Sequence, residues 1–328
     1  MAILITGGAG YIGSHAVRYL LNHKEDVVVV DNLQSGHRKS INVEDFYEID
    51  LRDKEALNKV FKTHNIESVI HFAANSLVGE SMIKPYDYYH NNVYGMMCLL
   101  DIMKDNNVNK IVFSSTAATY GEPKSIPIVE GNETNPTNTY GETKLAMEKM
   151  MKWFDQGYGI KYVSLRYFNA AGAHEDSHIG ENHDPETHLI PLVLQVPLNQ
   201  REKIYMFGDD YPTEDGTCLR DYIHVMDLAS AHYLALKYLR EDSPSEIFNL
   251  GNGNGYSVKQ VIDVARQVTK HPVPAEVKER RTGDPAVLIA SSEKAKSILG
   301  WKPQFDSLEK IITDAWNWHL NNPNGYSS

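Results

Sequence analysis

Two things are scarce in this chain of 328 residues: cysteine and positive charge. Only Cys98 and Cys218 are present, too few for a disulfide framework, and that points to a reducing compartment, the cytoplasm. Lysine and arginine number 32 against 43 acids, giving a net charge of −11. Phosphate backbones and anionic lipids require a basic face, so no nucleic-acid and no membrane partner is expected. No apolar run approaches the ~20 residues of a membrane span. Met1 is followed at once by Ala2-Ile3-Leu4-Ile5, which reads as a strand rather than a secretion leader. Internal repeats, low-complexity tracts and long linkers are also lacking. What remains is 42% apolar and 23% charged, ordinary globular usage in a chain long enough to bury a core without staples.

The first half alternates short apolar runs with helical periodicity. Ile3 to Thr6, Val27 to Val30, Val69 to Ala73, Ile111 to Ser115 and Tyr162 to Phe168 read as strands. Their runs are uninterrupted, the mark of strands covered on both faces, hence of a parallel sheet. Helical patterns lie between them, at Tyr11 to Asn22 and around 53–64, 85–106 and 140–154. The alternation predicts an α/β fold, a Rossmann-type doubly wound parallel sheet. Beyond about Asn169 the regularity fades into a polar loop at 172–188. Helices are expected near 189–200, 256–269 and 306–320, with strands at 204–207 and 247–250. The expected division is a Rossmann domain over 1–170, carrying the site helix, and a smaller α+β lobe over 171–328 with some chain crossing back.

Thr6-Gly7-Gly8-Ala9-Gly10-Tyr11-Ile12-Gly13 sits where the first strand must turn into the first helix. Gly7 suits a tight turn, Gly10 a close approach by a pyrophosphate, and Gly13 close helix packing; helix N–H groups then face the phosphates. Asp31 ends the second strand 18 residues after Gly13, where an acid accepts from ribose hydroxyls and repels a 2′-phosphate, selecting NAD over NADP. Tyr140 and Lys144 lie four apart, on one face of a helix. A cation beside a phenol lowers its pKa toward use as a base, so Lys144 is expected to do this for Tyr140. Thr116 follows the strand that ends in Phe113-Ser114-Ser115 and should present its hydroxyl at the ligand crevice.

With these motifs, and with SSTAATYG at 114–121, the chain resembles the extended short-chain dehydrogenase/reductase superfamily and its NAD-dependent epimerase/dehydratase family. Three further segments, LRYFNAAGAH at 165–174, FGDDYPTEDGT at 207–217 and RDYIHVMDLA at 220–229, resemble its UDP-glucose 4-epimerase branch along nearly the whole chain. The resemblance implies interconversion of UDP-glucose and UDP-galactose through a 4-keto sugar, transient NADH and tightly held NAD, and a place in galactose metabolism. It implies Tyr140 as acid/base, with Lys144 and Thr116 completing the catalytic set. NAD contacts are implied at Gly7, Gly10, Tyr11, Ile12, Gly13, Asp31, Asn32, Asp50, Leu51, Phe72, Ala73, Ala74, Asn91, Ser114, Tyr140, Lys144, Tyr167 and Phe168. UDP-sugar contacts are implied at Thr116, Asn169, His188, Leu189, Tyr205, Met206, Phe207, Arg220, Tyr222, Arg281, Asp284 and Leu288. Arginine forks suit a diphosphate, and aromatic or apolar walls suit a uracil ring.

Ala117-Ala118 stand where related dehydratases resemble one another in carrying acids, which favours plain epimerisation. Leu288 stands where some relatives have tyrosine, which implies room for UDP-N-acetylglucosamine, and His188 replaces a common asparagine. Other expectations remain open: a 4-epimerase of another UDP-sugar, N-acetylated or uronic, or a non-catalytic nucleotide sensor. His174, His178, His183 and His188, with Glu175, Asp176 and Asp184, share no helix face, and no metal is expected. A homodimer is expected by resemblance, with apolar surface from Met96, Met97, Leu99, Leu100, Met147, Met150 and Met151. Cys98, Trp316 and Trp318 read as packing residues.

Overall fold

The computed structural model describes residues 1–281 and 284–326. Its centre is a seven-stranded sheet whose order, by residue number, is 246–250, 161–167, 110–114, 66–71, 2–6, 27–31, 46–48. All neighbouring strands are parallel. Strand alternation explains the apolar runs. In Ala2–Thr6, Ile3 and Ile5 enter one core while Ala2 and Leu4 enter the other; in Val27–Asp31, Val27 and Val29 part from Val28 and Val30 in the same way.

Each face is closed by helices. Val17 and Leu20 of helix Tyr11–Asn22, Leu228, Leu236 and Leu239 of helix Val225–Arg240, and Trp301 cover the first. Helices Lys54–Thr63, Gly95–Asp105 and Thr139–Tyr158 cover the second through Leu57, Phe61, Leu99, Met103, Met147 and Met151. The chain leaves strand 2–6 toward 27–31 and returns on its other side at 66–71. That reversal opens a crevice at the carboxyl ends of strands 2–6 and 66–71, where ligands of open α/β sheets bind.

The structure departs from the sequence reading in three ways. Residues 246–250, expected as a strand at 247–250, are a place where the chain crosses back, as the seventh strand of the main sheet paired with 161–167; local pattern carries no sign of that partner about eighty residues away. Helix Val225–Arg240 delivers that strand and was not anticipated. The expected helix 85–106 is broken into Pro85–Tyr88, a π-helical turn Tyr89–Tyr94 and Gly95–Asp105. Of the residues expected to offer apolar surface, Met96, Leu99, Leu100, Met147 and Met151 are core; Met97 is exposed and Met150 half-buried.

Smaller elements complete the chain. Strands Asn169–Ala171 and Tyr222–His224 pair in parallel, as do Ile204–Phe207 and Ala275–Lys278. Helices Leu189–Leu194, Val258–Thr269 and Leu308–Asn321 join around Ile190, Val193, Ile262 and Ile311. Among the described residues no helix is long and apolar enough to cross a membrane.

Candidate active site

At the reversal the backbone turns through Gly7 with φ +73°. A Cβ there would lie 2.5 Å from the backbone nitrogen of Ala73, and one at Gly13 would lie 2.1 Å from the Gly7 carbonyl oxygen. Gly10 differs: its nearest neighbour would be 3.4 Å away, and what a side chain would fill is the cleft itself. Helix Tyr11–Asn22 has no acid in its first turn and no side-chain cap, so its leading N–H groups face the same space. A cradle of backbone donors without a carboxylate of its own fits a pyrophosphate. Beside it the buried Asp31 carboxylate accepts from the backbone N–H of Ala9 at 2.9 Å and of Leu33 at 2.8 Å. Burial raises its pKa while those two bonds pull it down. On the rim, Arg52 and Asn32 bond Asp50 and hold its carboxyl down at about 2.

The cleft, of about 790 Å³, is lined by every residue expected to contact NAD. Thr116, Asn169, His188, Arg220, Arg281, Asp284 and Leu288 line it as well. Leu189 and Tyr222 bound a small side pocket that shares Asn169 and His188. Tyr205, Met206 and Phe207 lie on strand 204–207 and are not among the lining residues; Phe207 packs beneath Arg281, a lining residue whose guanidinium lies 4.0 Å over its ring. Ser76, Leu77, Val78 and Glu181 line the cleft without having been anticipated, because they sit in irregular or short segments that carry no periodic signal; His183 of the polar loop lines it too.

Tyr140 belongs to helix Thr139–Tyr158, started by the Asn138 side chain accepting from Gly141 N at 2.8 Å and ended at Gly159 in the left-handed region. Its backbone N–H donates to Ser81 Oγ at 3.1 Å. Asn92, in the π turn, donates to Thr143 Oγ1 and to the Asn75 carbonyl, both at 3.0 Å. The extra residue of a π turn thus sets Asn91 on the cleft wall and Asn92 against the Tyr140 helix. One turn further on, Glu148 accepts from Arg166 at Nε (3.0 Å) and Nη2 (2.5 Å) and from Ser115 Oγ (2.5 Å). This buried fork fastens the Tyr140 helix to strand 161–167 and to the Thr116 segment.

The Thr116 hydroxyl accepts from the Ala118 N–H at 3.1 Å and favours the ionised form of the Tyr140 phenol nearby. Lys144 is buried, donates to the Ser114 carbonyl at 2.8 Å, and lies 5.8 Å from the Tyr140 ring centroid. Burial pushes the Tyr140 phenol up to about 12, with the Thr116 hydroxyl opposing it, and pushes Lys144 down to about 7. The expectation that Lys144 lowers the Tyr140 pKa is therefore not met by this arrangement: desolvation disfavours phenolate and ammonium alike. Ser114 Oγ bonds Tyr167 OH beside them.

At the other end, Arg220 pairs with Asp284, and its Nη1 donates to the Leu219 carbonyl at 2.7 Å. Leu288 pairs in register with Arg220. His183 and His188 gather on Glu181 and Glu186. The carboxylates raise both imidazole pKa values against desolvation, and the imidazoles hold buried Glu181 ionised.

The NAD dependent epimerase/dehydratase family profile matches residues 3–251. A UDP-glucose 4-epimerase of Halalkalibacterium halodurans is 63% identical over 328 residues, covering 100% of this chain and 98% of that protein. A crystal structure of a UDP-glucose 4-epimerase superposes with TM-score 0.98 at 60% identity, covering 100% of both chains. A UDP-glucose 4-epimerase from Bifidobacterium longum, solved in complex with NAD+ and UDP, gives TM-score 0.93 at 40% identity, covering 99% of this chain and 100% of that one.

Proposed function

We propose, since this chain belongs to the NAD dependent epimerase/dehydratase family, that its cleft interconverts UDP-glucose and UDP-galactose by inverting hexose carbon 4. The activity is an isomerisation, and the cofactor is NAD. The observation that carries the residue assignment is that Thr116, Tyr140 and buried Lys144 line the same cleft as the glycine cradle, with the Lys144 ammonium 5.8 Å from the Tyr140 ring centroid. Tyr140 takes the 4-hydroxyl proton and later returns it, Thr116 fixes that hydroxyl, and Lys144 holds the ribose side of the cofactor. The glycine cradle, Asp31 and Lys144 would hold NAD, which would supply the hydride acceptor for carbon 4 and a positive charge that favours the Tyr140 phenolate. Arg220 and Arg281 anchor the diphosphate, so the hexose is free to turn while the nucleotide stays. Residues 1–170 supply most of the cofactor half and 171–328 most of the sugar-nucleotide half.

Purified protein incubated with UDP-galactose and no added NAD should yield UDP-glucose with no net rise in reduced-nicotinamide absorbance. Steady NADH release would instead make the protein a dehydrogenase.

Leu288, on the cleft wall, leaves room at the sugar's carbon 2, so UDP-N-acetylglucosamine is a second substrate. Leu288→Tyr should lower kcat/KM for it by about 10- to 200-fold, the scale at which pocket shape discriminates, while UDP-galactose turnover changes little. Equal discrimination by variant and wild type would refute this.

The reading extends to a cytoplasmic homodimer. Both thiols are unpaired and buried. Tyr86, Tyr94 and Met97 form an exposed stripe, with Tyr86 and Tyr94 each stacked on His90, and Trp153 on helix 139–158 is 66% exposed. A surface this apolar on neighbouring helices suits a second copy of the chain. Light scattering should report a dimer at micromolar concentration, and Trp153→Glu with Met97→Glu should shift it to monomer without loss of fold. A monomeric wild type would remove the dimer from the reading.

A further inference from the structure

We propose that Glu181, His183, Glu186 and His188 form a site for one divalent transition-metal ion of the borderline class to which Zn2+ belongs. Each residue offers one donor atom, and the four atoms lie within 4.8 Å of one another. His183 Nδ1 is 3.2 Å from Glu181 Oε1 and 3.7 Å from Glu186 Oε2. His188 Nδ1 is 2.6 Å from Glu181 Oε1 and 3.5 Å from Glu186 Oε1. Around a tetrahedral ion with bonds near 2.0–2.1 Å, donor atoms stand roughly 3.3 Å apart. The nitrogen-to-oxygen gaps, two of them to different oxygens of Glu186, run from 2.6 to 3.7 Å and bracket that spacing.

The donor set selects the metal. Two imidazole nitrogens with two carboxylate oxygens suit Zn2+ and its neighbours, whereas Ca2+ and Mg2+ take oxygen alone. Burial adds a second argument. The Glu181 and Glu186 side chains are only 4% and 7% exposed, and two buried like charges require cations beside them. His183 Nδ1 is buried and has no hydrogen-bond partner of good geometry; it points into the quartet without being satisfied there.

All four ligands fall in residues 181–188, a stretch without helix or strand that leads into helix Leu189–Leu194. Their spacing fits no helix face, and the irregular backbone is what gathers them. His174 is engaged elsewhere, its Nδ1 2.8 Å from Asp176 Oδ1. Three of the four ligands line the cleft, so the ion would stiffen the wall against which the sugar nucleotide lies.

The test uses the full-length protein stripped with a chelator and titrated with Zn2+ against a chromophoric competitor. One equivalent should bind and raise the thermal midpoint, as any ligand specific to the folded state does. Co2+ in its place should give the visible absorption of a four-coordinate ion. His183→Gln and Glu186→Gln should each weaken binding by at least the ~100-fold that loss of a supporting partner brings, and remove the rise in midpoint. His188→Asn, at a half-exposed side chain, should do the same with little risk to folding. Absence of Zn2+ binding by the wild type, wild-type affinity retained in all three variants, or a six-coordinate Co2+ spectrum would each overturn the site.

Discussion

Tyr140→Phe should lower kcat for UDP-galactose by about 10³-fold, within the range assigned to general acid–base catalysis, and leave KM, NAD content and thermal midpoint close to wild type. The substitution removes one oxygen and keeps the ring. Thr116 nearby retains the Ala118 N–H at 3.1 Å, so no buried hydroxyl is left without a bond. The helix that carries Tyr140 is held from elsewhere, by the Asn138 cap and by the Glu148–Arg166 fork. A loss confined to kcat is therefore the signature of a group acting on the reacting proton. Burial raises the phenol from its ordinary value near 10 to about 12, so its use as a base requires a positive charge beside it. Residual activity within tenfold of wild type would mean that another group moves the proton.

The second large effect separates two glycines three residues apart. Gly13→Ala would place a methyl carbon 2.1 Å from the Gly7 carbonyl oxygen, a backbone atom that cannot swing aside. Helix 11–22 must then lift from the strand, with the 1–3 kcal/mol or more typical of overpacking, and the phosphate cradle moves with it. Both thermal midpoint and NAD content, measured after acid release, should fall. Gly10→Ala meets nothing closer than 3.4 Å, so its midpoint should stay near wild type while its methyl occupies the pyrophosphate path and NAD content drops. Wild-type NAD content in Gly10→Ala would show that the cofactor does not approach there.

How much of this was legible in advance follows from the range of the interactions concerned. Helix Tyr11–Asn22 and strand Ile204–Phe207 were read correctly because their signals are local, a period of 3.6 in one and an apolar run in the other. The glycine loop and Asp31 were legible because backbone geometry dictates residue type over a few positions. The π turn at Tyr89–Tyr94 was not, since its extra residue leaves the apolar pattern looking like a continuous helix. Nor was the Glu148–Arg166 pair, whose members come from a helix and a strand 18 positions apart.

The sequence by itself determined the doubly wound sheet, the nucleotide cradle and the Tyr140–Lys144 helix, because each is written in short-range periodicity, spacing or motif. Tertiary structure alone decided the rest. It brought 246–250 home to the main sheet, left Tyr205, Met206 and Phe207 off the lining of the cleft, and gathered two histidines on two carboxylates. It also buried Tyr140, which raises the pKa of its phenol. Each of these depends on burial and on contacts between distant segments, and desolvation is a property of the packed chain that no spacing of residues records.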